Sequence, residues 1–385
     1  MPVFSGTISS KLPRVGTTIF TVMSKLAAEH NAINLSQGFP DFDCPPGLVT
    51  AVNKAMKAGH NQYAPMPGVM KLREMIAEKT EELYGAKYDP DTEITVTSGA
   101  TQAIYTAISA TIREGDEVII FEPAYDCYEP AIELNGGKAI YMQLKAPDYN
   151  INWNEVKKVI NHRTRMIIIN SPHNPTGAVL RPEDMKQLEK LTKNTDILIL
   201  ADEVYEHIIF DGLSHESMAK YPNLANRSFI VSSFGKTFHT TGWKIGYCVA
   251  PKELMAEFRK VHQFLVFATN TPMQFGIAEF LKNKTHYNEL GNFYQAKRDL
   301  FIQALKGSRF TLTPSPGTYF QLLSYDKITK EKDADYAIRL IKENGIAAIP
   351  ISVFYHKPVY DNMLRFCFAK KDATIEKAAE ILRKI

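Results

Sequence analysis

Five short β-rich runs, each followed at once by polar, glycine or proline residues, constrain this chain more than any other feature. They are residues 92–97 (TEITVT), 117–121 (EVIIF), 166–170 (MIIIN), 196–201 (DILILA) and 228–232 (SFIVS). The last four are almost continuously apolar, as a strand covered on both faces must be. Between them lie helical patterns: Ile104, Ile108 and Ile112 recur at helical spacing, and Pro182–Thr192 reads PEDMKQLEKLT. This predicts an α/β fold with a mainly parallel sheet flanked by helices. Ligands in such sheets collect beyond the carboxyl ends of the strands. The exits are Ser98-Gly99, Glu122-Pro123, 171–177 (SPHNPTG), Asp202-Glu203 and 233–236 (SFGK). All five are expected on one rim.

From 314–317 (PSPG) onward the pattern changes. YFQLLSY, a helical stretch at 334–344, IAAIPIS and MLRFCFA predict a smaller α+β lobe. We expect a large domain over 46–275 and a small one built from 276–385 with the N-terminal segment 1–45. The 385 residues carry 45 Lys+Arg against 42 Asp+Glu, a formal net charge of +3, with no basic stripe, so a nucleic-acid partner is not expected. No run of about 18 apolar residues exists to cross a membrane. The first 30 residues lack the apolar stretch of a signal peptide. Four scattered cysteines (Cys44, Cys127, Cys248, Cys367) show neither a Cys-x-x-Cys pair nor zinc-ligand spacing. The expectation is a cytoplasmic chain with reduced thiols and no metal.

Lys236 sits in Gly235-Lys236-Thr237, but a Walker loop needs glycine five positions before Gly235, where Ile230 stands. A lysine among other cations and apolar walls has a lowered pKa, which suits an amine that must attack a carbonyl. Asp202 ends an apolar strand, and a carboxylate there must be paired or neutralised. It is read as the partner of a protonated heterocyclic nitrogen, with Tyr205 offering a hydroxyl nearby and Glu203 pointing to the other side. Gly99, Ala100 and Thr101 open a helix directly after a strand, where free N–H groups and the helix dipole favour an anion. Ser233 and Lys244 would add a hydroxyl and a cation.

These residues fall into motifs: Ser98-Gly99-Ala100-Thr101, His173-Asn174-Pro175-Thr176-Gly177, Asp202-Glu203-Val204-Tyr205 and the stretch 232–237 (SSFGKT), with Arg365 near the end. In order and spacing they resemble the class I/II aminotransferases of pyridoxal 5′-phosphate (PLP) fold type I, over nearly the whole chain. The stretches 34–42 (NLSQGFPDF), 61–63 (NQY), 125–130 (YDCYEP) and 243–247 (WKIGY) resemble most closely the branch of methionine aminotransferases and kynurenine/glutamine transaminases.

The resemblance implies that Lys236 holds PLP covalently and later shuttles a proton, while Asp202 keeps the pyridine nitrogen protonated. Asn174 and Tyr205 would bond the ring's O3′ oxygen, and Tyr125 would stack on the ring. Gly99, Ala100, Thr101, Ser233 and Lys244 would hold the phosphate, joined by Tyr63 from the other subunit of a homodimer with shared sites. Lys244 stands where many relatives have arginine, replacing a fork by a point charge. Arg365, with Gly38 and Asn174, would bind the substrate α-carboxylate, and Phe20 would wall the side-chain pocket. A cis Asn174–Pro175 bond is also implied.

Kynurenine-type relatives often carry a histidine where Ala268 stands. No second arginine is evident for an ω-carboxylate. Uncharged amino donors are therefore expected, methionine first, then glutamine, phenylalanine and kynurenine, with a 2-oxo acid as acceptor in a ping-pong cycle. The alternative activity is a PLP-dependent cysteine-conjugate β-lyase. A DNA-binding regulator on this fold is disfavoured, because the two lobes consume the chain.

Overall fold

The computed structural model describes residues 1–357 and 359–385. In chain order the strands are β1 (Ile33–Asn34), β2 (Ile94–Thr97), β3 (Glu117–Glu122), β4 (Lys138–Gln143), β5 (Thr164–Asn170) and β6 (Leu198–Asp202). Next come β7 (Ser228–Ser233), β8 (Gly246–Val249), β9 (Phe320–Ser324), β10 (Ile346–Ala347), β11 (Ile349–Pro350) and β12 (Met363–Cys367). Seven of them form one sheet in the order β2-β8-β7-β6-β5-β3-β4. Pairing is parallel from β4 through β7. Only β8 runs against its neighbours β7 and β2.

Reversal of a single strand leaves β2, β3, β5, β6 and β7 pointing the same way. Their carboxyl ends therefore share one rim, as the sequence predicts. Successive side chains of a strand point to opposite faces, and the core divides accordingly. Val118, Ile120, Met166, Ile168, Leu198 and Leu200 pack on one face. Ile119, Phe121, Ile167, Ile169, Ile199 and Ala201 pack on the other. This double coverage is why these runs lack the polar alternation of a half-exposed strand.

Helices α1 (Ile19–Glu29), α2 (Pro46–Lys57), α3 (Met70–Tyr84), α4 (Gly99–Thr111) and α5 (Tyr128–Leu134) precede β4. The first face is covered by α4 and the helix Lys252–Leu265, through Ile104, Ile108, Met255 and Phe258. On the other side the helix Thr271–Phe280 lies against α2, and residue 275 falls inside it.

A second sheet, β11-β12-β9, is antiparallel and is backed by the helix Asp333–Asn344. Parallel pairing of β1 with β10 fastens the N-terminal segment to this region. Arg365 of β12 lies opposite Leu322 and Ile349. Boundaries of all five runs differ from expectation: β2 starts at Ile94, β3 reaches Glu122, β5 starts at Thr164, β6 runs from Leu198 to Asp202, and β7 reaches Ser233. The strands extend to the polar residues because the ladder does, Glu122 pairing with Gln143, Asp202 with Asn170 and Val231, and Ser233 with Gly246. Among the described residues, no helix is long and apolar enough to cross a membrane and no cluster suits a metal ion.

Candidate active site

At the rim, the end of β6 delivers Asp202 into a buried position. Its Oδ2 accepts a hydrogen bond of 2.5 Å from the Tyr128 hydroxyl of α5, and its Oδ1 accepts one of 3.3 Å from the Val204 N–H. Burial raises the carboxyl pKa to about 6, against the opposing pull of these bonds and of Lys236. Glu203 turns to the other face, where it accepts from His215 and the Met218 N–H.

Lys236 rises from the short helix Phe234–Thr237 that succeeds β7. Its Nζ donates to the Gly38 carbonyl at 3.1 Å and to the Tyr319 hydroxyl at 2.9 Å. Burial lowers its pKa to about 8. Near neutral pH a useful fraction of the amine is therefore unprotonated, as nucleophilic attack requires. Tyr205 and Tyr319 pack edge to face beside it, ring centroids 5.1 Å apart.

Gly99 begins α4 at φ +75°, in the left-handed region where a side chain is strained. A Cβ there would stand 3.1 Å from both Cε and Nζ of Lys244. The ammonium thus sits directly over the N-terminus of α4, so a helix dipole and a lysine converge with no carboxylate between them. That donor set fits a phosphate. Gly99, Ala100, Thr101, Ser233 and Lys244 line one cavity together with Tyr125, Asn174, Asp202, Tyr205 and Lys236, and Ile104, Asn170, Val204 and Thr241 fill the rest of its wall. A phosphate-binding end, an acid for a ring nitrogen and an amine for a carbonyl carbon are what PLP needs. The residues present fit it.

Arg365 is 1% exposed. Its Nη1 donates to Asn174 Oδ1 at 2.8 Å and its Nη2 to the Ser36 carbonyl at 3.0 Å, while Nε has no partner. The guanidinium lies 3.9 Å from the Phe320 ring centroid, with Phe20 and Phe354 at 5.4 and 5.5 Å. A buried cation bonded only to neutral oxygens calls for an anion. The Asn174–Pro175 bond is cis.

The structure thus brings together every expected site residue except Tyr63. That residue is 84% exposed, with its ring edge-on to Phe267 at 5.3 Å. His173 and His239 are held by Thr176 and Tyr294 respectively, and burial lowers both to a pKa of about 4. Sequence reasoning assigns no role to Tyr128, Tyr319 or Ser36. Tyr128 lies within the YDCYEP motif, which is the available signal. Tyr319, in an apolar run on the approach to β9, gives none.

Residues 30–382 match the sequence model of the family Aminotransferase class I and II. The methionine aminotransferase of Escherichia coli strain K12 is 50% identical over 377 residues, covering 98% of each chain. Human kynurenine–oxoglutarate transaminase 1 is 34% identical, covering 94% of each. A solved Escherichia coli structure with a methionine aminotransferase function superposes with a TM-score of 0.97 at 49% identity, covering 100% of both chains.

Proposed function

This chain belongs to the class I and II aminotransferases and is a PLP-dependent amino acid transaminase; on that premise we propose that its amino donor is an uncharged, fairly long amino acid. Methionine leads, ahead of glutamine, phenylalanine and kynurenine. The observation that carries this reading is the buried Arg365, with its unpartnered Nε and its ring of Phe20, Phe320 and Phe354. The guanidinium takes the α-carboxylate, and the phenyl rings around it offer apolar contacts to the part of the substrate side chain next to Cα. Of the two curated relatives, the one with the higher identity is a methionine aminotransferase. Both are transaminases, which does not favour the β-lyase alternative.

When bound, PLP supplies a carbonyl carbon and an electron-withdrawing ring through which the amino group passes between substrates. Each residue then has a task. Lys244, Ser233 and the N–H groups of Gly99 to Thr101 hold the phosphate. Asp202 would hold a proton on the ring nitrogen, with Tyr128 stabilising the ionised carboxylate. Asn174 and Tyr205 would offer hydrogen bonds to the ring oxygen, and Tyr125 would pack against the ring. Arg365, with Asn174 and Gly38, fixes the substrate so that its Cα hydrogen faces Lys236. The Lys236 amine would anchor the cofactor through its carbonyl carbon and, when free, would serve as the base and proton carrier beside the substrate Cα. A 2-oxo acid would use the same Arg365 site for its carboxylate as the second substrate, which makes the cycle ping-pong.

Two further elements belong to this reading. The subunits form a homodimer, supported by the exposed Tyr63, Phe264 and Phe267, with a large lobe over 46–275 and a small lobe from 1–45 and 276–385. The location is cytoplasmic, supported by four unpaired cysteines.

Reconstitution with PLP should give a visible absorption band that methionine discharges and that Lys236→Ala lacks. Replacing Arg365 by Ala should raise KM for methionine by about 100-fold or more, the usual cost of removing one partner of a buried charge pair. A normal KM in that variant would end the carboxylate assignment.

A further inference from the structure

We propose that Asp126 turns away substrates with a second carboxylate, so that both half-reactions run on monocarboxylic amino and 2-oxo acids. The inference rests on the proposed function, in which Arg365 takes the α-carboxylate. A cavity of about 410 Å³ opens beside that arginine. Phe20 and Phe354, which flank the guanidinium, form part of its wall together with Tyr125, and Tyr125 also lines the Lys236 cavity. A substrate held at Arg365 with Cα at Lys236 therefore has its side chain directed into this space.

The cavity is acidic. Glu122, Asp126, Glu129 and Glu133 line it against a single guanidinium, Arg14, a formal −3 with His356 neutral. Arg14 offers no free charge, since it is paired with Glu129 at 2.9 Å and with Glu133. Glu129 also accepts from Tyr141 at 2.6 Å and meets His356 Nδ1 at 3.2 Å, and Glu122 accepts the His356 N–H. Asp126 differs from all of these. Among the described residues its carboxylate has no hydrogen-bond or ion-pair partner, and it does not cap α5. It stands next to Tyr125; burial raises its carboxyl pKa above the usual value, against the opposing pull of the Arg365 charge. An ω-carboxylate arriving here meets like charge with no free cation, whereas a thioether, an amide or an aromatic ring does not.

The test tracks the aminated holoenzyme by absorbance as it reacts with one acceptor at a time. Wild type should react with 4-methylthio-2-oxobutanoate with at least ten times the second-order rate constant it shows for 2-oxoglutarate. Asp126→Asn should narrow that ratio at least tenfold, about 1.4 kcal/mol, and Asp126→Glu should keep it. Spectral titration gives a second readout: Asp126→Asn should bind glutarate more tightly relative to hexanoate. Equal rate constants in wild type, or a ratio that Asp126→Asn does not move, overturns the proposal and leaves the Arg365 assignment standing. A wild-type enzyme that reacts with no 2-oxo acid overturns both.

Discussion

Asp202 and Lys236 face the same cavity with pKa values moved toward each other, about 6 and about 8, both chiefly by burial. The free protein's appetite for PLP should therefore depend on pH in two ways. As pH falls through about 6, Asp202 takes a proton and no longer holds a charge for the ring nitrogen, so affinity falls. The rate of covalent uptake should rise with pH and level above about 8, as Lys236 loses its proton. Stopped-flow absorbance from about pH 5 to 10 would show both limbs; a rate still climbing steeply above about pH 9 would contradict the lowered lysine. Tyr128 belongs to the same balance, because a hydrogen bond to a carboxylate stabilises the ionised form. Tyr128→Phe removes a bond to a charged group worth about 1.5–3 kcal/mol. It should weaken PLP binding near neutral pH by roughly 10-fold or more and move the acid limb upward. Titration of tryptophan fluorescence with PLP would measure the affinity; an unmoved limb would mean that Asp202 does not need the phenol.

Asp202, Lys236 and the turn at Gly99 are legible in the sequence because each lies at or just beyond the carboxyl end of a strand, and such an end has only one place to be in a parallel sheet. Tyr128 and Tyr319 are not, since their roles depend on α5 and β9 approaching from 74 and 83 residues away. The buried ion network under the rim is hidden for the same reason. Glu206 accepts from Lys79 of α3 at 2.7 Å, from Ser232 of β7 at 2.6 Å, from Tyr247 of β8 at 2.9 Å and from Tyr84 of α3 at 2.6 Å. One carboxylate thereby ties the turn carrying Asp202 and Tyr205 to the two strands that flank Lys236 in sequence. Burial alone would raise its pKa, but Lys79 and these hydroxyls hold it well below the usual carboxylate range. The stability it adds is present above its unfolded pKa and is lost as pH falls below about 4.5. Lys79→Met leaves that charge buried and unpaired, and should cost about 3–5 kcal/mol in urea unfolding of the PLP-free protein. Adding Glu206→Gln should recover part of the loss. Helix contacts impose a second constraint that the sequence by itself does not reveal. A Cβ on Gly276 would fall 2.3 Å from Val52 Cγ2 of α2. Gly276→Val should push the two helices apart and destabilise the fold by about 1–3 kcal/mol, measurable in the same unfolding experiment.

At the scale of the whole molecule, Tyr63 is the expected phosphate-site residue that does not line the cavity of its own chain. It is 84% exposed, and Phe264, at 86%, and Phe267, at 44%, lie on the same chain without cover. Tyr63 and Phe267 lie edge to face on this surface, and exposed aromatic pairs of this kind suit an interface that a second subunit would cover. Such a dimer would have a mass of about twice 43.4 kDa, and with its isologous symmetry each Tyr63 would reach the neighbour's phosphate site. Mixing two inactive variants distinguishes this from a local role. In a hybrid of a Tyr63→Ala subunit with a Lys236→Ala subunit, the site containing the intact Lys236 receives the intact Tyr63 from its partner. If Tyr63 works across the interface, subunit exchange should restore one complete site per hybrid. Random reassortment makes half of the dimers hybrids, so the pool should regain about a quarter of wild-type activity. If Tyr63 serves its own chain, no hybrid holds a complete site, and activity should stay at the average of the two parents. Ion exchange of a mixture in which only one variant carries a charged tag would resolve the singly tagged hybrid from both parents and establish that it had formed, which makes an unrestored activity decisive against the shared site.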